Sequence, residues 1–152
     1  PRVLPMGGFL RRTKINELPQ LINIFNGDMS IIGPRPQTQR CFDAFAESVQ
    51  NDITKVRPGL SGLGSVVFRS EEDMMHADAD PDRLYDDVIM PYKGKLESWY
   101  VRNNTVWNYL LLIALTILVI LTRSTRLIFR CYTSLPRPPA ELNSFIASDY
   151  YE

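Results

Sequence analysis

Three cations precede the predicted start of a helix near the beginning of the chain. Arg11, Arg12 and Lys14 lie just before Asn16, a good helix N-cap, and Glu17, an acid that suits the first helical turn. A helix N-terminus favours phosphate, and arginine adds planar, bidentate recognition of phosphate oxygens. Mg²⁺ commonly binds one or two carboxylates together with substrate phosphates, so Glu17 is a candidate magnesium ligand. The same pattern also fits an ordinary surface helix with a capped start.

The second motif is the stiff turn Gly33-Pro34-Arg35-Pro36. Its two prolines restrict the backbone on both sides of Arg35, which lowers the entropy cost of aiming that side chain. Taken alone, the motif is equally consistent with a turn that exposes an arginine. Combined with the first motif, it predicts a phosphate clamp with two sides.

The third motif is the loop Arg57-Pro58-Gly59-x-Ser61-Gly62. Its glycines would let the backbone approach a ligand closely, which makes Arg57, Gly59 and Gly62 candidate substrate-loop residues. A purely structural loop is equally compatible with this composition.

The composition describes a globular chain with no net charge. The 152 residues carry 17 Lys+Arg and 17 Asp+Glu, which argues against a nucleic-acid binder acting through a basic field over the whole domain. Two cysteines cannot make a disulfide framework, and a single histidine leaves no zinc-like spacing. The charge is uneven along the chain, with basic ends and an acidic middle, so we expect contact with an anionic ligand or surface.

Several elements must position these motifs. A helix is predicted from Asn16, ending at Asn26-Gly27, with an apolar face formed by Leu18, Leu21, Ile22 and Phe25. The remaining predictions are an extended stretch over 29–32, one helix over 38–54, a strand over 65–68, and a helix over 82–104 that is kinked at Pro91. The fold class predicted is mainly α with a few short β-strands (α+β).

Residues 106–121 form the most apolar stretch of the chain. At about 1.5 Å per residue, such a helix is shorter than the roughly 20 residues of a perpendicular membrane span. Trp107 and Tyr109 lie near its front, Arg102 precedes it, and further arginines follow. We expect a helix at or within one membrane leaflet, and the alternative is a buried core helix. Residues 123–152 are predicted to be a basic-apolar segment with an irregular tail.

Three strings in this sequence resemble the bacterial sugar transferases, which are small monotopic polyprenyl-phosphate sugar-1-phosphate transferases. The strings are RRTKINELPQLINIFNGDMSIIGPRP, VRPGLSGLGSV and SWYVRNNTVWNYLLLIALT, and the first is the most specific. The resemblance covers roughly residues 1–122. It implies a membrane-associated catalytic domain, preceded in the family by a membrane helix, so we expect the sequence to be a fragment.

The resemblance implies an enzyme that transfers a sugar-1-phosphate from a UDP-sugar to a membrane polyprenyl phosphate, such as undecaprenyl phosphate, and releases UMP. It implies Mg²⁺, contact with membrane lipid, and a location at the cytoplasmic face of the bacterial inner membrane, where the reaction starts a glycan such as exopolysaccharide, capsule or O-antigen. A homodimer is compatible with it. Glu17 matches a catalytic or Mg²⁺-binding carboxylate, and Arg11 matches a phosphate-binding arginine. Arg35 matches the arginine of the family's Pro-Arg-Pro turn.

Two positions depart from the family pattern. Asn16 stands where the family has the aspartate thought to attack phosphorus, and Tyr109 stands where the C-terminal block usually has an aspartate. An amide is a far weaker nucleophile than a carboxylate. The site is therefore either rearranged, with Glu17 as a candidate nucleophile, or impaired. In the second case the chain would be a membrane-associated, nucleotide-sugar-binding or scaffolding member of the family.

Overall fold

Helices dominate the part of the chain that the computed structural model describes, which comprises residues 18–77, 80–122, 124–142 and 146, without the side chains of 72, 73 and 77. This confirms the predicted fold class. The elements in chain order are α1 (Pro19–Asn26), β1 (Ser30–Ile32), α2 (Gln39–Asp43), α3 (Glu47–Ile53), β2 (Gly59–Ser61), α4 (Leu63–Val67), α5 (Glu71–Ala77), α6 (Pro81–Arg83), a π-helix (Leu84–Ile89), α7 (Met90–Arg102), α8 (Val106–Thr122), α9 (Arg126–Cys131) and a 3₁₀ turn (Ala140–Leu142).

The two strands pair in parallel, with Ser30 opposite Gly59 and Ile32 opposite Ser61. Because parallel strands need a crossover connection, the chain between them leaves the sheet and returns through α2 and α3. The pairing brings the turn after β1 next to the glycine-containing segment around β2. These are the second and third motifs of the sequence.

The hydrophobic core lies between α7 and α8 and is closed by α4 and α9. The helix α8 buries a stripe spaced by three and four residues, which is the period of one helix face. Arg69 donates a hydrogen bond to the backbone oxygen of Val119 near the end of α8, where carbonyl groups lack partners within the helix. The least exposed core side chains include Leu63, Ile89, Tyr92, Leu96, Tyr100, Leu112, Ile128 and Leu142.

Residues from Pro81 to Arg102 form successive helical segments. Pro91 lacks an N–H group, and its ring crowds the carbonyl one turn earlier. The π-helix lies directly before it, and the Met90 N–H reaches the oxygen of Tyr85, five residues back. A widened turn of this kind accommodates the proline without ending the helix.

The prediction of one helix over 38–54 is wrong. The chain is interrupted between α2 and α3, where Phe45 turns into the core and is buried. The amide of Gln50 donates hydrogen bonds to the oxygens of Phe42 and Phe45, at 3.1 and 2.8 Å, and the Phe42 oxygen also accepts one from the Phe45 N–H. The interruption is therefore stabilised by the burial of Phe45 and by the hydrogen bonds from Gln50.

The strand predicted over 65–68 is also wrong, because residues 63–67 form α4. Val66, Val67 and Phe68 are all buried. A short apolar run that is buried on every side carries no periodicity, so it does not distinguish a strand from a helix. The strand in this region is instead β2, which begins six residues earlier, at Gly59.

Within the described residues, no helix combines the length and apolar character needed to cross a membrane. The helix α8 has 17 residues, close to the predicted 106–121.

Candidate functional site

The first motif lies almost wholly outside the described residues. Arg11, Lys14, Asn16 and Glu17 are not among the residues that the structure describes, so their predicted roles stay predictions. The helix that follows them, α1, begins at Pro19 and ends at a left-handed glycine, Gly27, with φ of 85°. The predicted end of this helix is therefore confirmed.

The second and third motifs meet through their backbones. A β-carbon placed on Gly59 would lie 2.1 Å from the backbone nitrogen of Gly33, so only glycine permits this approach. The Gly59 N–H donates a hydrogen bond of 3.0 Å to the oxygen of Pro34, and the Gly33 N–H donates one of 2.9 Å to Ser61. The turn that carries Arg35 is thus fixed directly against the loop. Pro34 is buried, Arg35 is half-buried and Pro36 is exposed.

The side chain of Arg57 extends away from the Gly33 turn, towards Gly27 at the end of α1. Its Nη1 atom lies 3.7 Å from the position that a β-carbon on Gly27 would occupy, at the C-terminal end of α1. A cation is favourable there because the last carbonyls of a helix carry partial negative charge. The structure therefore brings the backbone of Arg57 to the Gly33 turn but directs its guanidinium towards Gly27.

A cavity of about 260 Å³ opens beside these strands. Among its polar groups, the hydroxyl of Tyr100 lies 3.5 Å from Oδ1 of Asn104. Burial raises the pKa of the Tyr100 hydroxyl above its ordinary value, so this group stays a neutral hydrogen-bonding phenol. The lining residues are Ser30, Ile32, Gly33, Val56, Arg57, Tyr100, Asn104 and Tyr109.

Glu97 of α7 is a buried carboxyl behind the glycine loop, which we define as residues 59–64. Its side chain is 2% exposed, and its Oε1 atom accepts a hydrogen bond of 3.1 Å from the Gly64 N–H. Burial raises the pKa of Glu97 to about 8, against the lowering effects of that hydrogen bond and of Lys93. Sequence reasoning missed this residue, because Lys93 and Glu97 are four residues apart and look like a surface ion pair.

A second carboxylate, Asp52, joins α3 to α7. It accepts hydrogen bonds from Ser98 Oγ and from Nε of Arg102, at 2.5 and 2.8 Å, and pairs with Lys55 at 2.9 Å. These donors hold the pKa of Asp52 well below its usual range, with the hydrogen bond from Lys55 contributing most. Arg102, which the sequence places as a cation flanking the apolar helix, is thus engaged with α3.

Large apolar side chains of α1 and α8 face outwards. Phe25 is 92% exposed and Trp107 is 82% exposed. Single exposed apolar side chains are common in soluble proteins, whereas groups of large ones are typical of interaction surfaces. The other exposed members on these two helices include Leu21, Ile22, Val106, Leu110, Ile117, Ile120 and Leu121.

Comparison with known proteins identifies the family. The family model described as bacterial sugar transferase matches residues 1–123. The chain belongs to the bacterial sugar transferase family.

Three relatives carry specific names. The chain is 35% identical over 123 residues to the undecaprenyl-phosphate galactose phosphotransferase of Salmonella typhimurium, covering 81% of this chain and 22% of that protein. It is 36% identical over 123 residues to the UDP-N-acetylgalactosamine-undecaprenyl-phosphate N-acetylgalactosaminephosphotransferase of Aeromonas hydrophila, covering 80% and 26%. It is 32% identical over 120 residues to the UDP-glucose:undecaprenyl-phosphate glucose-1-phosphate transferase of Escherichia coli, covering 77% and 23%.

This sugar transferase chain therefore spans about a quarter of the length of these relatives. The match covers the Gly33 turn, the glycine loop and α8. The structure joins the turn to the loop and places Tyr109 in the wall of the adjacent cavity. The described residues include no group of three or more His, Cys, Asp or Glu side chains that could hold a metal ion.

Proposed function

We propose that this chain carries the catalytic part of an enzyme that transfers a sugar-1-phosphate from a UDP-sugar to a membrane polyprenyl phosphate and releases UMP. The observation that most supports the proposal is the backbone junction between the Gly33 turn and the glycine loop. That junction fixes the turn that carries Arg35, in a family whose named relatives transfer galactose, N-acetylgalactosamine or glucose phosphates to undecaprenyl phosphate.

In the proposed reaction, an oxygen nucleophile attacks the β-phosphorus of the UDP-sugar. The bond from that phosphorus to the bridging oxygen breaks, and UMP leaves with the bonding electrons. A phosphate oxygen of the polyprenyl lipid ends up bonded to the same phosphorus, either directly or after displacing an enzyme carboxylate. Positioning and charge neutralisation account for most of the catalysis in such transfers.

We assign the phosphate contacts to Arg11, Lys14 and Arg35. The position of Arg35 is fixed by its neighbours in the turn, Gly33, Pro34 and Pro36. Glu17 is the acid of the first motif, and we assign it either to Mg²⁺ or to attack on phosphorus. Mg²⁺, when bound, would neutralise the diphosphate, and its carboxylate donor would come from outside the described residues. A covalent intermediate would release UMP without lipid, whereas direct transfer would release it only with lipid.

We propose that the outward apolar side chains of α1 and α8 contact membrane lipid at the cytoplasmic face of the bacterial inner membrane. The lipid acceptor named for the relatives and the exposure of Phe25 and Trp107 support a bilayer as the partner of this surface. Replacing both aromatic residues by Ser should reduce co-sedimentation with phospholipid vesicles severalfold. Unchanged sedimentation of that variant would contradict the lipid contact.

The test of the function is UMP release by the protein in detergent, with polyprenyl phosphate, Mg²⁺ and a panel of UDP-sugars. We expect release over multiple turnovers that depends on lipid, stops on chelation of Mg²⁺ and returns when Mg²⁺ is added. Arg35→Lys should lower kcat/KM at least tenfold, because lysine lacks the bidentate geometry of arginine. The matched control is Arg40→Lys, at an exposed residue whose ion pair with Asp86 lysine can keep.

No UMP release from the protein with any UDP-sugar would overturn the proposed activity. If an Asn16→Asp variant then released UMP, the site would be a lapsed transferase that retains its substrate contacts. Equal effects of the two arginine substitutions would overturn only the assignment of Arg35.

A further inference from the structure

The carboxyl of Glu97 fills the space that the glycine loop leaves free. A β-carbon on Gly64 would lie 2.7 Å from Oε1 of Glu97, and one on Gly62 would lie 3.1 and 3.3 Å from its two oxygens. Contacts below 3.0 Å require atoms to move, so alanine at Gly64 would displace the carboxyl or the loop. The glycines of the loop and the carboxyl therefore fit one another.

The same loop is in contact with the turn on its other side. A β-carbon on Gly62 would also lie 2.4 Å from the backbone oxygen of Gly33. The glycine loop thus lies between the Glu97 carboxyl and the Gly33 turn. Because Gly62 has no side chain, it is in close contact with the carboxyl on one side and with the backbone of the Gly33 turn on the other.

One oxygen of this carboxyl has no hydrogen-bond partner. Within the described part of the chain, Oε2 of Glu97 is buried and unpartnered, while Oε1 is held by Gly64. An ionised carboxylate in such a position is costly, because a buried charge needs hydrogen bonds to replace water. A neutral acid carries a much smaller cost.

The charged groups around Glu97 do not remove that cost. Lys93 lies one turn earlier on α7, but its Nζ atom pairs with Glu71 of α5 at 2.8 Å. Tyr100, one turn later, stays neutral because burial raises its pKa. From α4, the group that faces Glu97 is the Gly64 N–H.

We propose that Glu97 is a positioning residue for the sugar-phosphate transfer: its carboxyl holds the glycine loop against the turn that carries Arg35. This inference rests on the proposed function for its kinetic consequence, but its structural consequence is independent of activity. The neutral form of the Glu97 carboxyl is the one that suits this buried position. Ionisation of the carboxyl therefore weakens its contact with the glycine loop.

The first experiment compares pH profiles of the protein with those of Glu97→Gln, which has the same shape and stays neutral. Because burial raises the pKa of Glu97 to about 8, its neutral fraction falls about tenfold between pH 7 and 9. We expect kcat/KM for the UDP-sugar to fall by that factor, and the Gln variant to change less than about twofold. The control, Glu141→Gln at an exposed residue, should follow the unsubstituted protein. Superimposable profiles of the protein and Glu97→Gln would overturn the proposal.

The second experiment needs no turnover. Amide hydrogen exchange of residues 59–64 is compared between the protein and Glu97→Gln at pH 7 and at pH 9. We expect equal rates at pH 7 and severalfold faster exchange in the unsubstituted protein at pH 9. A ratio that is the same at both pH values would overturn the role of Glu97. If the protein released no UMP but the exchange rates differed as expected, the proposed function would be overturned and the structural role of Glu97 would stand.

Discussion

Gly59 is the residue at which the parallel strands approach most closely, and Gly59→Ala tests the junction directly. The new β-carbon would lie 2.1 Å from the nitrogen and 2.5 Å from the oxygen of Gly33, and 2.5 Å from the oxygen of Ser61. All three atoms belong to the backbone, so no side-chain rotation relieves the overlap. The strands must separate.

Separation sacrifices, in addition to the ladder bonds between β1 and β2, three backbone hydrogen bonds at the junction, which run from Ser30 to Pro58 (2.8 Å), from Gly33 to Ser61 (2.9 Å) and from Gly59 to Pro34 (3.0 Å). At about 1 kcal/mol each, the three junction bonds alone should lower the free energy of unfolding by about 3 kcal/mol. The matched control is Gly27→Ala. There the nearest atom is Arg57 Nη1 at 3.7 Å, and the cost is the left-handed strain alone, about 1–2 kcal/mol.

Urea unfolding in detergent, followed by tryptophan fluorescence, measures both variants. Trp99 is a suitable reporter because its ring packs edge-on against Tyr132, with the ring centroids 5.2 Å apart. UMP release should fall more than tenfold for Gly59→Ala and remain near the unsubstituted rate for Gly27→Ala. A stability loss for Gly59→Ala no larger than that for Gly27→Ala would refute the close approach of the strands.

Two further predictions concern stability. Asp52→Asn should destabilise the protein by removing the ion pairs between α3 and α7. Since these contacts hold the pKa of Asp52 well below its usual range, their contribution is full above about pH 4 and is lost as the pH falls through the lowered value. The difference in urea midpoint between the two proteins should therefore be constant from pH 7 to about pH 4 and should shrink as the pH is lowered further. Leu112 is 0% exposed, so Leu112→Ala should lower the free energy of unfolding by about 2–5 kcal/mol. Leu121 is 75% exposed, so Leu121→Ala should change it by less than about 0.5 kcal/mol. Equal losses in the two variants would contradict the orientation of α8.

The sequence predicted the elements whose bounds depend on neighbouring residues, such as a glycine at a helix end or a continuous apolar stretch. The left-handed Gly27 ends α1 as predicted, and the extended stretch before the Gly33 turn is β1. The apolar stretch from Val106 is α8. In each case the deciding information lies within a few residues of the chain, either as a backbone preference or as a run of one residue type.

Long-range packing decided what the sequence did not predict. Phe45 is buried where the predicted helix is interrupted, and the apolar run at Val66 is helical because it is enclosed on every side. Glu97 lies four residues after Lys93, a spacing that is typical of surface ion pairs on helices. Its burial depends on α4 and on Glu71, which takes Lys93 instead. No spacing within α7 reveals these partners.

The glycine loop receives support from α7 on both sides. Ahead of the loop, Ser98 and Arg102 hold Asp52 at the end of α3, while beneath it Glu97 holds Gly64. These three side chains of α7 lie within two helical turns, so one rigid element sets both the entry and the exit of the loop. The glycines of the loop carry no packing side chains, so its shape depends on Leu63, which is buried in the core, and on these contacts from α7. The placement of the Gly33 turn therefore depends on α7, which lies more than fifty residues further along the chain.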